Sequence, residues 1–372
     1  MKKLLLAFFT VFTFATALIY FASCLTPFIS PVAFAPMAFL ALGFPYLVLC
    51  MVVLVMLWVF ITKKVALYLF LLIFAGSKNL YSTFAVNRVM SENFSANDTN
   101  SIRILTWNVR NFDNPAVYTD TPGSTRRRMF QYIQSMNADV LCLQEYSDIS
   151  GTNFLSNSAE LYQLGYTYHY TTKEIRRRFS WGIVNNGTAI YSKIRIAGSG
   201  KILLGDPSYP EYLAYVDVGW KGRQVRIFTA HFKSMNLFAF PHDPSVVVPF
   251  HYDSMFINKD SKLEKLRVFG QEHARQAFIV KKALKQSPYP IIFTGDMNSV
   301  PTSYAYNYVA KDLQDAFLVK GWGLGTTLVD LPKTLRIDYL LIDQRLLIKN
   351  YQKHELNLSD HFPQVVKVAW KQ

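Results

Sequence analysis

The chain has 372 residues, with 39 Lys and Arg against 25 Asp and Glu and a formal net charge of +14 at pH 7. That length leaves room for one large domain and something extra, and the basic surplus favours polyanionic partners or an anionic membrane surface without choosing between them. Its 3 cysteines set up no disulfide framework, and the lack of a Gly-rich phosphate loop disfavours a nucleotide-binding α/β fold.

Leu4 to Thr62 contains no charged residue, which no soluble domain of ordinary composition permits. A spanning helix takes about 20 apolar residues, so this stretch fits two spans, roughly 4–23 and 43–61, joined through Pro27, Pro31 and Pro36. A third apolar run, 65–84, is interrupted by Lys78. Lys and Arg beside short spans tend to stay cytoplasmic. Two spans keep both Lys2-Lys3 and Lys63-Lys64 inside, and a third carries the rest of the chain to the non-cytoplasmic side, the expected arrangement in a cell inner membrane. The competing reading, a signal peptide cleaved near Ala22-Ser23-Cys24, suffers from an overlong apolar core and a second span close behind. Residues 1–90 are therefore expected to form a transmembrane region.

Residues 91–101, SENFSANDTNS, read as a linker, and residues 102–372 as the catalytic domain. That domain holds 33 of the basic residues and 23 of the acidic ones, a balance of +10. Arg126-Arg127-Arg128 and Arg176-Arg177-Arg178 are its densest clusters, each readable as solvated charge. Strand-like runs recur at 102–109, 140–143, 166–170, 188–191, 213–218, 225–229, 291–294, 336–342 and 365–370, with helical spacing over 126–137 and 263–285. Strands with helices between only some of them predict an α/β (α+β) fold, two mixed β-sheets packed together with helices outside.

Seven short motifs follow one another through this domain: Trp107-Asn108-Val109, Gln144-Glu145, Gly187-Thr188-Ala189-Ile190, Thr229-Ala230-His231, Gly295-Asp296-Met297-Asn298, Arg336-Ile337-Asp338-Tyr339 and Ser359-Asp360-His361. Hydrolysis of a phosphodiester needs a cation to neutralise phosphate, a base for water and donors for developing charge. A hard cation such as Mg²⁺ prefers oxygen ligands, and Glu145, Asn108 and Asp360 fit that role. Asp296 and Asn298, two apart at a strand end, are suited to activating and orienting one water. His231 and His361 are placed to donate to a phosphoryl oxygen or the leaving group, with Asp338 as the carboxylate that orients His361. No such partner is apparent for His231. Taken singly each motif reads as turn chemistry, a surface carboxylate or a core histidine; together they read as a site.

Carried by ILTWNVRNF, VLCLQEY, GTAIYS, FTAHFKS, FTGDMNS, RIDYLLI and LSDHFPQVV, residues 102–370 resemble the endonuclease/exonuclease/phosphatase family. It includes abasic-site endonucleases, DNase I type nucleases, neutral sphingomyelinases and inositol polyphosphate 5-phosphatases. The resemblance implies a four-layer sandwich, Mg²⁺ (or Mn²⁺) held by Glu145, Asn108 and Asp360, Asp296 as base or water-orienting group, and Asn298 positioning phosphate. It also implies His361, held by Asp338, stabilising the transition state, and His231 touching the phosphate or assisting the leaving group. Where abasic endonucleases carry an acidic residue two positions after the first Asn, this chain has Arg110.

Between FTAHFKS and the long helix lies an aromatic insertion, residues 235–262, readable as a lid, a binding loop or plain packing. Its His242, Asp243, His251 and Asp253 match no metal-site spacing. The expectation is a membrane-anchored, Mg²⁺-dependent phosphoesterase, with nucleic acid the leading substrate because of the basic domain. A phospholipid or other phosphodiester at the bilayer is the rival, and an inert binding domain comes third. No protein partner is inferable.

Overall fold

A computed structural model describes residues 1–87, 100–113, 123–150, 156–179, 182–208, 210–234, 262–329 and 334–371. The predicted linker falls mostly in 88–99, and the aromatic insertion, with His242, Asp243, His251 and Asp253, in 235–261; both lie outside the described residues.

The uncharged stretch folds as helices α1 (Lys2–Cys24) and α2 (Met37–Ile61), followed by α3 (Lys63–Ala75) and α4 (Ser77–Thr83). By length and composition α1 and α2 are each able to cross a membrane, whereas α3 and α4 pass that test only as a pair bent by 60°. The single span expected over 65–84 is thus broken at Gly76. Beyond the break the sequence turns polar, and Asn79, Ser82 and Thr83 are buried, with Asn79 Nδ2 donating to the Ser23 carbonyl at 2.9 Å. Phe9 stacks on Trp58 and Tyr20 on Phe44, so α1 and α2 are antiparallel. Tyr20 Oη donates to the Ile73 carbonyl at 2.8 Å, which brings the C-terminal end of α3 back beside that of α1. Lys2, Lys3, Lys63 and Lys64 consequently share one end of the bundle, and the segments around 24–41 and 73–83 the other.

Next in the chain come β1 (Ala85–Val86), β2 (Ile102–Asn108), α5 (Thr125–Met136), β3 (Val140–Ser150), α6 (Asn157–Gln163), β4 (Tyr168–Thr171), β5 (Ile175–Phe179), β6 (Gly182–Ser192), β7 (Ile196–Leu203), β8 (Tyr212–Trp220) and β9 (Arg223–His231). Then follow α7 (Lys262–Lys285), β10 (Ile291–Asp296), α8 (Tyr304–Ala310), β11 (Leu313–Asp315), α9 (Ala316–Lys320), β12 (Trp322–Gly323), β13 (Asp338–Asp343), β14 (Leu346–Lys353) and β15 (Gln364–Trp370). One sheet runs β14-β15-β2-β3-β6-β4, with β5 also on β6; the other runs β11-β13-β10-β9-β8-β7. Both are mixed, since β2–β3 and β9–β10 are parallel and their neighbours antiparallel.

Side chains alternate between sheet faces along a strand, and here both faces are apolar. Ile102, Ile104, Val140 and Cys142 meet Val216, Ile227, Ile292 and Leu340 between the sheets. Leu105, Trp107 and Leu143 point the other way onto Met129, Phe130 and Ile133 of α5, while Phe228, Phe293 and Leu341 pack under Ala277, Val280 and Leu284 of α7. The order of layers is helix, sheet, sheet, helix. Each large apolar side chain buried this way contributes about 1.5–3 kcal/mol, and that burial is what aligns the two sheets.

The helical bundle is packed onto this sandwich. Thr26 Oγ1 donates to the Thr302 carbonyl at 2.7 Å, and Thr302 Oγ1 donates to that of Ala41 at 2.6 Å. Arg336, 1% exposed, donates from one guanidinium nitrogen to Asp315 Oδ2 at 2.6 Å and from another to the Ser82 carbonyl at 2.8 Å. β1 pairs with β12, and α7 passes so close to the start of α2 that a Cβ on Gly270 would lie 2.5 Å from Ala38 Cβ.

Candidate active site

Strand β2 of one sheet and the parallel strands β9 and β10 of the other end at the same edge of the sandwich, β3 passes through it at Gln144 and Glu145, and the antiparallel β13 begins there. In register, Asn108 stands opposite Gln144, and Asp296 stands between His231 on β9 and Asp338 on β13. Cross-strand partners share a face, so His231, Asp296 and Asp338 form one row. Just behind it, the buried Gln144 amide donates to Thr106 Oγ1 at 3.2 Å and to Thr229 Oγ1 at 2.8 Å, tying the two sheets together.

Local backbone features aim the row. Glu145 sits at φ 47° within the bulge where the β3–β6 register slips between Leu143 and Tyr146, and a bulge re-aims a side chain. Gly295 has φ 142°, and a Cβ there would lie 2.1 Å from the Ala230 carbonyl oxygen; only glycine lets β10 lie against β9 immediately before Asp296. Asn298, at φ 46°, closes an Asx-type turn by donating its N–H to Asp296 Oδ1 at 2.8 Å.

Asn108, Glu145, His231, Asp296, Asn298, Asp338, Asp360 and His361, the catalytic and metal candidates of the motifs, all fall at this edge. Asn108 Nδ2 donates to Glu145 Oε1 at 3.0 Å and to Asp296 Oδ2 at 3.3 Å. His361 Nδ1 donates to Asp338 Oδ2 at 2.9 Å, and its Nε2 faces Asp296 Oδ2 at 3.6 Å. Trp107 Nε1 donates to the His361 carbonyl at 2.8 Å, and Ser359 Oγ to the Asn108 carbonyl at 2.8 Å, so the Ser-Asp-His turn is held to the end of β2. Asp360 is partly exposed, and its charge adds to burial, the larger cause, in raising the pKa of Glu145.

His231 does have neighbours that its own sequence motif does not reveal. Its Nε2 is 3.6 Å from Glu145 Oε1 and 3.7 Å from Asp296 Oδ2, too long for hydrogen bonds, and 3.3 Å from Asn298 Nδ2. Burial pushes its pKa down despite the charges of Asp296, Asp338 and Asp360. A neutral ring whose Nε2 accepts from Asn298 fits both facts, and Asn298 Nδ2 is anchored in turn on the Phe232 carbonyl at 2.9 Å. His361 is the opposite case: burial opposes its charge, but Asp338 and Asp296 raise its pKa well above the ordinary histidine range. Asp296 is pushed up to about 6, by burial first and by the charge of Asp338 second. One histidine is thus held neutral and the other as an imidazolium across a single carboxylate.

His273 and Thr327 belong to this site although nothing in their local sequence marks them. His273, 3% exposed on α7, has Nε2 2.7 Å from the Lys233 carbonyl and Nδ1 2.9 Å from Ser299 Oγ, bridging the chain just past His231 to that just past Asn298. Burial pushes it down to about 4, so it works as a neutral bridge, donating from Nε2 and accepting at Nδ1. Thr327 Oγ1 accepts the Ile337 and Asp338 N–H groups at 3.0 and 3.3 Å. A His within an amphipathic helix and a Thr within a loop carry no periodic signal.

The donor set suits a hard divalent cation. Glu145, Asp296, Asp338 and Asp360 are oxygen donors or their immediate neighbours, and burial first and the charge of Asp360 second raise the pKa of Glu145 against the opposing effects of the Asn108 amide, His361 and Arg110. Glu145 and Asp296 already converge on one donor, the Asn108 amide, and a cation meets the same electrostatic demand. Asp296, Asp338 and His361 also have ligand-capable atoms within 4.8 Å of one another; there the short Asp338–His361 hydrogen bond accounts for the closeness without a metal.

Residues 105–361, more than half the chain, match the family model described as Endonuclease/Exonuclease/phosphatase family, and residues 3–83 match a domain of unknown function. A search of curated proteins found no match. Among solved structures, the human Nocturnin catalytic domain with bound sulfate is similar at 17% identity over 73% of this chain and 94% of that one, with a TM-score of 0.50. An endonuclease/exonuclease/phosphatase from Beutenbergia cavernae covers 73% and 72% at 17% identity and TM-score 0.49. A mannosyl-6-phosphatase from Bacteroides thetaiotaomicron covers 73% and 100% at 17% identity and TM-score 0.47. With this match over its catalytic part, and with the two packed mixed sheets of the fold, the chain belongs to the endonuclease/exonuclease/phosphatase family, whose members are generally hydrolases of phosphate esters.

Proposed function

We propose that this protein is a membrane-embedded, divalent-cation phosphoesterase that hydrolyses a phosphodiester carried by a membrane lipid. The observation that carries the reading is the docking of the apolar bundle onto the site-bearing edge, through the hydrogen bonds of Thr302 with Thr26 and Ala41, six residues beyond Asp296. A bundle used only as a tether has no need to grip a catalytic loop. Nucleic acid is the second reading, favoured by the +10 balance of residues 102–372.

Glu145, Asn108 and Asp360 are the residues to hold Mg²⁺ or Mn²⁺, which when bound neutralises phosphate charge and polarises the phosphoryl oxygen. Asp296, ionised above about pH 6, accepts the proton of the attacking water while Asn298 orients the phosphate. The His361 imidazolium, held by Asp338, donates to the oxygen on which charge builds, and neutral His231 faces the leaving group. As to placement, bundle and domain meet at the end opposite Lys2, Lys3, Lys63 and Lys64, and the bias of basic residues towards the cytoplasm supports a domain on the non-cytoplasmic face.

The test reconstitutes the full chain in lipid vesicles and assays it with Mg²⁺ on phosphodiester lipids, plasmid DNA and RNA, with Asp296→Asn as control. Lipid turnover abolished in the variant is the expected result. Nucleic-acid cleavage without lipid cleavage would reverse the substrate order, and undiminished turnover by the variant would remove the mechanism.

A further inference from the structure

The two arginine triplets, 50 positions apart in the sequence, come to the same end of the fold. Strands β3 and β6 continue past Glu145, with Tyr146 opposite Gly187 and Ser150 opposite Ile183; four residues of strand carry this pair of strands about 13 Å beyond the site. Strand β5 extends it, pairing from Ile175↔Asn186 to Phe179↔Gly182, and Arg176, Arg177 and Arg178 are all exposed. Successive strand residues face opposite ways, so the hairpin is basic on both faces. The first turn of α5 lies at this end because α5 leads to the start of β3 at the far end. There Arg126 is occupied by Asn157 at 2.8 Å and Glu160 at 2.7 Å, while Arg127 and Arg128 are exposed.

The two clusters are joined along one rim. Asn157 Nδ2 donates to the Ser147 carbonyl at 2.7 Å, Ser147 Oγ to that of Asn111 at 3.1 Å, and Asn186 Nδ2 to Asn111 Oδ1 at 2.8 Å. Beyond the same edge stands the bundle, in contact with Thr302 and, through Tyr46 Oη, with Thr334 Oγ1 at 3.2 Å. A basic edge strand alone is explained by protection against edge-to-edge pairing. That explanation does not cover a second arginine cluster on a helix start, nor why both face the end where the bundle sits.

We propose that this rim, the first turn of α5 and the β5–β6 hairpin, is the surface by which the catalytic domain lies on an anionic bilayer, with Arg127, Arg128, Arg176, Arg177 and Arg178 on lipid phosphates. Basic side chains near an anionic leaflet are drawn to it within a Debye length, and a second point of contact besides the bundle holds the site edge towards the lipid. The inference rests on the membrane placement proposed above and is independent of the reaction catalysed.

Hydrogen–deuterium exchange on the full chain in nanodiscs tests it without any activity. Amides 125–131, 175–179 and 182–187 are expected to exchange several-fold more slowly in discs containing phosphatidylglycerol than in pure phosphatidylcholine. The difference should vanish when all five arginines are reversed (Arg127→Glu, Arg128→Glu, Arg176→Glu, Arg177→Glu, Arg178→Glu). Retained protection of β2 and β10 reports that this variant is folded; if it is not, the comparison of the two lipids with the unaltered chain decides. Equal exchange in both discs overturns the proposal. So does protection by a single-stranded oligonucleotide with none from phosphatidylglycerol, which would make the rim a nucleic-acid surface. A chain that inserts and is protected but hydrolyses no lipid would overturn the substrate reading alone.

Discussion

Asp338→Asn removes one charge from the centre of the site and almost nothing else. The amide keeps the shape of the carboxylate, and its oxygen still accepts from His361 Nδ1, 2.9 Å from Asp338 Oδ2 in the unaltered protein. Two unit charges that close interact by about 6 kcal/mol at an effective dielectric of about 20, while the difference between a charge-assisted and a neutral hydrogen bond is about 1–2 kcal/mol net. Between those bounds the expected fall in kcat at pH 7 is about 10²–10³-fold. The pH profile is the sharper readout. His361 is raised well above its ordinary range by Asp338 and Asp296 against the cost of burial, so its imidazolium is lost only as pH rises through that high value, and without Asp338 the loss comes earlier. Asp296 is pushed up to about 6 by burial and then by Asp338, so without that charge it stays ionised to lower pH. Both limbs of the bell therefore move down together. The assay is a pH–rate profile of the full chain in detergent micelles with Mg²⁺ and bis(4-nitrophenyl) phosphate. A variant with unaltered kcat, or with reduced kcat and unmoved limbs, would refute the pairing as the source of the catalytic charge.

Three further outcomes are expected. Chelation should abolish turnover and Mg²⁺ restore it, and Glu145→Gln should raise the Mg²⁺ requirement by at least the about 10–100-fold that loss of an outer partner costs; turnover unaffected by chelator contradicts the assignment. His273, pushed down to about 4 from an ordinary 6.5 by burial, makes folding about 3 kcal/mol less favourable at pH 4 than above pH 6.5, because the unfolded chain takes up the proton first and stability falls as pH drops from 6.5 towards 4. Chemical unfolding of His273→Gln against the unaltered chain over this range measures it, and parallel pH slopes would rule it out. Arg336→Met leaves the Asp315 carboxylate buried without its guanidinium and should cost about 3–5 kcal/mol, visible as a lowered unfolding midpoint; an unchanged midpoint would rule out the pair as a buried charge pair.

Much of the fold was legible because its signals are local. The alternation at 102–108 and the apolar run at 140–143 read as strands because both faces of each sheet are covered by helices or by the other sheet. The helix at 263–285 announced itself through its amphipathic spacing and was observed as Lys262–Lys285. Less visible were α6, α8 and α9, at 7, 7 and 5 residues too short for a period to establish itself, and β14, whose exposed Leu347 and buried Asn350 blur the alternation. The apolar run 65–84 read as one span; Gly76 and the buried polar face of α4 divide it, because Asn79 is hydrogen-bonded to Ser23 of another helix rather than to a neighbour in sequence.

By itself the sequence singled out the residues proposed above to carry the chemistry, since Asn108, Glu145, His231, Asp296, Asn298, Asp338, Asp360 and His361 each stand at the end of a strand-like run or in a turn of recognisable composition. It also determined that an uncharged stretch precedes the domain. The tertiary structure alone decided the relations among them: that Asp296 stands in register between His231 and Asp338, that one histidine is buried neutral and the other charged, that His273 braces two motif loops, and that Thr302 ties the apolar bundle to the site. The physical reason is that composition and periodicity report what each segment needs to bury. Charge state, orientation and docking depend instead on which buried groups face one another across strands and helices far apart in the chain.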